Sequence, residues 1–463
     1  MKRISQFWDD AIVPALVDYI EIPAKSPHFD KAWQQHGHID AAVELAANWC
    51  REHAVPGMKL EVVRLEGRTP ILFIEVPASG ASSQTVLMYG HLDKQPEMTG
   101  WREGYGPWQP VIADGKLYGR GGADDGYAVF SSIAALRALH EEKRPHGRIA
   151  ILIECCEESG SYDLPAYLEV LSQKIPEPHL VIGLDSGCGN YDQLWGTTSL
   201  RGLINGVLTV EVLTEGVHSG DASGVVASSF RIARTLLERI DGADSGTVKH
   251  SAFHAQVPPE RAEQARRAAE VLGDEIWRKF PFVEGMQPMQ ADLADLVLNR
   301  TWRPFLAVTG ADGLPPPASA GNVLRPKTSL VLSLRLPPTV KADSVAQQLK
   351  AILEADPPYG ARVRFEPGQA ATGWHAPRTS DWLSKAVDEA SKRHFAKPAM
   401  WMGEGGTIPF MAMLGAKYPQ AQFLITGVLG PHSNAHGPNE FLHLDYAKRL
   451  TACVADVLAA NAA

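Results

Sequence analysis

A chain of 463 residues is longer than one hydrophobic core sustains, and 45% hydrophobic with 21% charged residues is the composition of an ordinary globular protein, so two domains are expected. The formal net charge of −9, with no basic run, argues against a nucleic-acid or anionic-membrane partner, because nothing offsets phosphate repulsion. No apolar run reaches membrane-span length, and the leading MKRISQFWDD turns acidic where a secretory segment would become apolar, so a cytoplasmic location is expected.

Apolar residues at helical spacing predict helices over 6–20 and 39–53. Strands are predicted at 59–64, 70–76 and 85–89, and a connection containing Gly, Pro and Trp fills 97–118. A helix from about Ala128 to His140 precedes strands at 148–154 and 179–184. Strands alternating with helices indicate a layered α/β unit. From Gly206 the texture changes. GVLTVEVL alternates as a half-buried antiparallel strand does, and helices at 222–240 and 258–280 follow. Strands at 304–309 and 329–336, a helix at 342–355 and a strand at 361–366 complete the order strand–helix–strand–strand–helix–strand, a ferredoxin-like pattern carrying an insertion. After Pro377 come a helix at 380–394, a strand at 421–427 and a helix at 443–460. The division is 1–203 and 378–463 for one domain, with 204–377 inserted. Five cysteines (Cys50, Cys155, Cys156, Cys188, Cys453) without zinc-finger spacing read as free buried thiols.

The chemistry gathers at strand ends. In MYGHLDKQP, His91 and Asp93 share one face of extended backbone just past an apolar strand, where open α/β sheets place their sites. Asp93 has two open roles, as a direct ligand or as the group that orients one. Asp124 and Asp125 sit in the glycine-rich GRGGADDG. A plain turn and helix N-terminus explains them equally well, while a phosphate loop is excluded by the missing Gly-Lys-Ser/Thr ending and by the acids themselves. Glu157 and Glu158 end the strand RIAILIECC; on extended backbone they point apart, so one can bind a metal while the other acts as general base. Asp185 ends another strand in GLDSG, and His436 lies in PHSNAHGPNE. Imidazole and carboxylate donors without a cysteine suit zinc, manganese or cobalt.

The order GHLD, GRGxxDD, EESGS, an Asp after a strand, and a late AHxxNE resembles the di-zinc exopeptidase and deacylase family, which includes carnosinase-type dipeptidases, glutamate carboxypeptidases, acetylornithine deacetylase and aminoacylase. The resemblance covers essentially the whole chain. It implies a zinc-exopeptidase-like α/β catalytic domain with a mostly parallel central sheet, plus an inserted ferredoxin-like domain for dimerisation and lid closure. It implies two divalent ions, one held by His91 and Asp185, the other by Glu158 and His436, with Asp124 bridging. Asp93 would orient His91, Glu157 would be general base and acid, and the Asp124–Asp125 peptide would be cis. His218 in VHSG, Asn322 in AGNVLRP, Arg335 in LSLRLPP, and Glu404 and Thr407 in GEGGTIP would contact substrate. Two positions depart from the pattern. Gly126 stands where many members have Lys, and Asn322 where carnosinase-like members commonly have Thr. The expected activity is metal-dependent hydrolysis of small peptides, of dipeptidase or carboxypeptidase type, by a homodimer. The alternatives are an N-acyl-amino-acid deacylase and a catalytically silent binding protein.

Overall fold

The strand Ile71–Val76 turns Leu72, Ile74 and Val76 to one apolar cluster and Ile71 and Phe73 to another. Thr85–His91 divides likewise, with Val86 and Met88 on the first side and Leu87 and Tyr89 on the second. Period-two side chains buried on both faces make the sheet the middle of three layers. The computed structural model describes residues 1–462.

The central sheet runs in the order Lys59–Val63, Ile71–Val76, Arg148–Glu154, Thr85–His91, Leu180–Gly183, Gln422–Ile425, Trp195–Leu200, Trp374–His375, with Met400–Glu404 also paired to Trp195–Leu200. It is mixed rather than mostly parallel. Arg148–Glu154, Thr85–His91, Leu180–Gly183 and Gln422–Ile425 are mutually parallel neighbours, whereas the strands flanking them pair antiparallel. Parallel neighbours need a crossover, which helices such as Tyr127–Glu141 supply; the first two strands are joined by the short turn at 64–70 and can only pair antiparallel. The strand Trp195–Leu200 is no apolar run. Its hydroxyls are buried in pairs, with Ser186 Oγ 2.7 Å from Thr197 Oγ1 and Thr198 Oγ1 donating to Gln264 at 2.9 Å.

A second, wholly antiparallel sheet orders Phe305–Asp312, Lys327–Leu336, Gly202–Glu211 and Arg362–Ala371. Helices Ser229–Leu237 and Ala342–Glu354 supply its own apolar cluster. Helices Pro259–Leu272 and Leu293–Thr301 behave differently. Their Ala265, Ala268 and Val297 join the first core with Met400 and Met402. All five cysteines are buried and unpaired. Among the described residues no helix is long and apolar enough to cross a membrane.

Candidate active site

Of the four parallel neighbours, Thr85–His91, Arg148–Glu154 and Leu180–Gly183 end at or within a few residues of the candidate ligands His91, Glu158 and Asp185, and His436 lies in the loop after Gln422–Ile425. Gly90 lets the Thr85–His91 strand run close to the helix start, where a Cβ would lie 2.6 Å from the Ala128 Cβ and 2.7 Å from Asp125 Oδ2. The His91 N–H then donates to Asp125 Oδ2 at 3.3 Å. His91 Nδ1 lies 3.0 Å from the Asp93 backbone carbonyl and 3.5 Å from Asp93 Oδ1. That leaves Nε2 turned toward Asp124 and Asp185, buried and without a hydrogen-bond partner.

Asp124 offers one oxygen to each imidazole. Oδ1 is 3.5 Å from His91 Nε2 and Oδ2 is 3.1 Å from His436 Nε2. Asp185 Oδ2 lies 3.9 Å from His91 Nε2, and Glu158 Oε2 lies 3.4 Å from His436 Nε2. Two atoms each about 2.1 Å from one tetrahedral ion are about 3.4 Å apart, so these separations suit two cations on either side of Asp124. Glu157 is also within reach, since its carboxylate groups with His91 and Asp185, all ligand atoms lying within 4.8 Å of one another. The Asp124–Asp125 peptide is cis.

Asp93, Asp124, Asp125, Glu157, Glu158 and Asp185 crowd around two imidazoles. Burial raises the Glu157 and Glu158 carboxyls well above the usual range, reinforced by Asp185 and Asp124 respectively. Burial also lifts Asp185 to about 6. For Asp124 burial acts in the same sense but is outweighed by His436 and His91, which hold it far below the carboxylate range. A buried cluster with more acids than counterions is chemically suited to cations.

The residues behind these ligands fix their aim. Asp93 accepts the backbone N–H groups of both Glu157 and Glu158, and Gln95 Nε2 donates to Glu158 Oε2 at 2.5 Å. Arg120 and Glu440 form a buried pair joining the glycine-rich loop to the His436 loop. Arg120 donates to Glu440 at 2.5 Å and to the Gly437 carbonyl at 2.7 Å, and Glu440 accepts from the Gly121 N–H at 3.0 Å. In the His436 loop, His432, Asn434, His436 and Asn439 all have positive φ, a concentration of strained backbone that needs such over-determination. At Gly126 a Cβ would lie 2.2 Å from the Tyr19 ring, so Tyr19 fills the place of any side chain there. Lys94 packs on Gly121 of the same loop and donates to the carbonyls of Tyr19 and Ile22.

Asp124, Glu157, Asp185, Glu404, Thr407 and His436 line one cleft of about 250 Å³. His436 opens to it with 54% of its side chain exposed. A larger hollow of about 390 Å³ between Ser245 and Phe305 holds none of these carboxylates. Arg335 reaches the cleft wall by donating to Thr407 Oγ1 at 3.2 Å, and Thr407 donates to the Arg201 carbonyl at 2.6 Å. His218 ends the short strand Val217–His218, which pairs with Val323–Leu324, and Asn322 immediately precedes the latter; both are exposed, and among the described residues neither lines this cleft.

A family model described as Peptidase family M20/M25/M40 matches residues 87–460. The chain belongs to that family. It is therefore a metallopeptidase, and His91 with Asp124 and Glu158, and His91 with Glu157 and Asp185, are groups that could hold a metal ion. The chain is 27% identical over 421 residues to the cysteinylglycine-S-conjugate dipeptidase of Corynebacterium striatum, covering 87% of this chain and 86% of that one. The structure of the Saccharomyces cerevisiae dipeptidase Dug1p superposes with a TM-score of 0.79 at 19% identity, over 100% of this chain and 97% of the yeast chain. Human carnosine dipeptidase 1 superposes with a TM-score of 0.76 at 20% identity, over 99% of each chain. The peptidase thus shares its α/β fold with dipeptidases. Gln95, Arg120, Arg201 and Glu440 escaped the motif reading. Gln95, Arg120 and Glu440 lie inside or beside quoted motifs, which is a usable signal; Arg201 has none.

Proposed function

We propose that this peptidase is a two-metal dipeptidase, a reading carried by the Asp124 carboxylate, which turns one oxygen to His91 and the other to His436. His91 and Asp185 would hold one ion and Glu158 and His436 the other, with Asp124 shared between them. Zinc suits these donors, with manganese or cobalt as substitutes. Two such ions would supply Lewis acidity and lower the pKa of a bound water toward neutral. Asp93 keeps the His91 ring and the Glu157–Glu158 turn in place. Glu157, on the cleft wall, takes the proton from the attacking water and returns it to the leaving amine. Arg335 and Thr407 bind the substrate's carboxylate end and Glu404 its amine.

The dipeptide class is supported by the activities named for the relatives above. Residues 1–203 and 378–463 form the catalytic domain and 204–377 a ferredoxin-like insert, a division supported by the separate antiparallel sheet with its own core. The insert makes the homodimer contact and brings the partner's His218 loop over the cleft, with Asn322 beside it. The absence of both residues from the cleft lining of their own chain supports this. The location is cytoplasmic.

The test is to purify the protein with its native metal, measure metal by elemental analysis, and assay dipeptides beside N-acyl amino acids. About two transition-metal ions per chain and chelator-sensitive dipeptide hydrolysis are expected. Full activity after chelation, or hydrolysis of N-acyl amino acids alone, overturns the reading.

A further inference from the structure

Arg201 is the single residue between the strand Trp195–Leu200, whose Leu200 lines the cleft, and the strand Gly202–Glu211 of the second sheet. It is 9% exposed, and its side-chain hydrogen bonds all go to backbone carbonyls. Nε donates to Gly405 at 3.2 Å, and Nη1 donates to Asn299 at 3.2 Å and to Arg303 at 3.3 Å. Asn299 and Arg303 lie at the C-terminal end of the helix Leu293–Thr301, where carbonyls lack intrahelical partners and a cation is favoured. Gly405 belongs to the turn that follows the strand Met400–Glu404 and leads into Gly406, Thr407 and Ile408 of the cleft lining. There is no room for a side chain on it, since a Cβ would lie 2.9 Å from the Arg300 carbonyl oxygen and 3.2 Å from Arg201 Nη2. One buried guanidinium thus clamps this turn to the helix end, a task that needs donors spread over a planar fork.

The Arg201 backbone completes the clamp. Its carbonyl accepts the Thr407 hydroxyl at 2.6 Å, and the same Thr407 oxygen accepts from Arg335 Nη1 at 3.2 Å. A hydroxyl has one proton, and this one is committed to Arg201. Thr407 therefore turns a lone pair to Arg335, and its share in holding the substrate's carboxylate is to aim that guanidinium. Arg335 is half-buried and, among the described residues, makes that one hydrogen bond and no ion pair, so its other N–H groups are open to a carboxylate.

We propose that Arg201 is a positioning residue for recognition of the substrate's terminal carboxylate, acting on Arg335 through Thr407 and the Gly405 turn, an inference that rests on the dipeptidase reading above. A merely structural Arg201 would affect every substrate alike. Ala-Ala and Ala-Ala amide differ only at the terminal carboxylate and separate the two cases. With the metal-loaded full chain, kcat/KM is expected to favour Ala-Ala over the amide by about tenfold, mostly in KM. In Arg201→Lys and in Arg201→Gln, KM for Ala-Ala is expected to rise about tenfold with kcat within about twofold. Metal content and KM for the amide stay as they were, so the ratio falls toward one.

An equal loss on both substrates, or a ratio that persists in both variants, overturns the positioning role. A ratio near one in the unaltered enzyme overturns recognition of the carboxylate through Arg335 and leaves dipeptide hydrolysis standing. Hydrolysis of neither substrate overturns both readings. Should both Arg201 variants lose their melting transition, Gly405→Ala decides, because its Cβ displaces the turn while the Arg201 side chain remains. It is expected to lower the same ratio, and a ratio unchanged in it overturns the clamp.

Discussion

The Asp93 carboxylate accepts the Glu157 N–H on one oxygen at 3.1 Å and the Glu158 N–H on the other at 3.0 Å. One side chain thereby sets the aim of both glutamates. An amide has a single acceptor oxygen, and its NH2 would face a backbone donor. Asp93→Asn is expected to lower kcat/KM about 10- to 100-fold and to weaken metal retention, read by elemental analysis beside the rate. Unchanged rate and metal content would mean that the turn holds itself.

The adjacent glutamates separate by phenotype. Glu157→Gln is expected to keep both ions and lose about 10²- to 10⁴-fold in kcat, as removal of a general base does. Glu158→Gln is expected to lose metal first, because its carboxylate faces His436 at 3.4 Å. Reversed phenotypes would exchange the two roles.

The dimer is testable by complementation. His218→Ala chains mixed with Glu157→Gln chains are expected to recover activity at one of two sites, the one that pairs an intact base with the neighbour's intact histidine. No recovery, with subunit exchange verified by mass, places the action of His218 outside the partner's cleft.

Asp456 joins the last helix to its neighbours. It accepts from Arg144 at 2.7 Å, from Arg393 at 2.6 Å, and lies 2.9 Å from His394 Nε2. Burial alone would raise its carboxyl, but the His394 and Arg144 contacts outweigh burial and bring it down to about 2. A depressed carboxyl stabilises the fold fully above the unfolded-state value of about 4, and that contribution is lost as pH falls through about 2. With an allowance for solvent screening, Asp456→Asn is expected to cost about 1 kcal/mol at pH 7. The gap between variant and wild type in denaturant melts should narrow steadily below about pH 4. A gap independent of pH would show packing, not charge, at that position.

Gly126→Lys would install the residue many family members carry. Here the Cβ would lie 2.2 Å from the Tyr19 ring and 2.8 Å from the Gly121 carbonyl. Overpacking of about 1–3 kcal/mol is expected, seen as a lower melting temperature. A variant as stable as the parent would show that the Tyr19 helix yields.

The sequence by itself places the candidate ligands along the chain, and the family resemblance is what marks them as ligands. His91, Asp124, Glu158, Asp185 and His436 each close or follow a segment whose apolar period or glycine spacing is local, and local patterns are readable without a partner. The same holds for Gly202–Glu211 and Lys327–Leu336, whose alternation marks one buried face. Only the tertiary structure decides which strands neighbour which, and hence that the sheet is mixed. Pairing order depends on contacts between segments far apart, such as Leu180–Gly183 beside Gln422–Ile425. Likewise Trp195–Leu200 is a buried strand only because Ser186 and Gln264 satisfy its hydroxyls. Arg120 and Glu440 meet 320 residues apart, and Arg300 comes within 3.8 Å of Glu404 only because helices numbered within the insert pack on the first core. A charge is judged by its neighbours in space, and chain spacing carries no record of them.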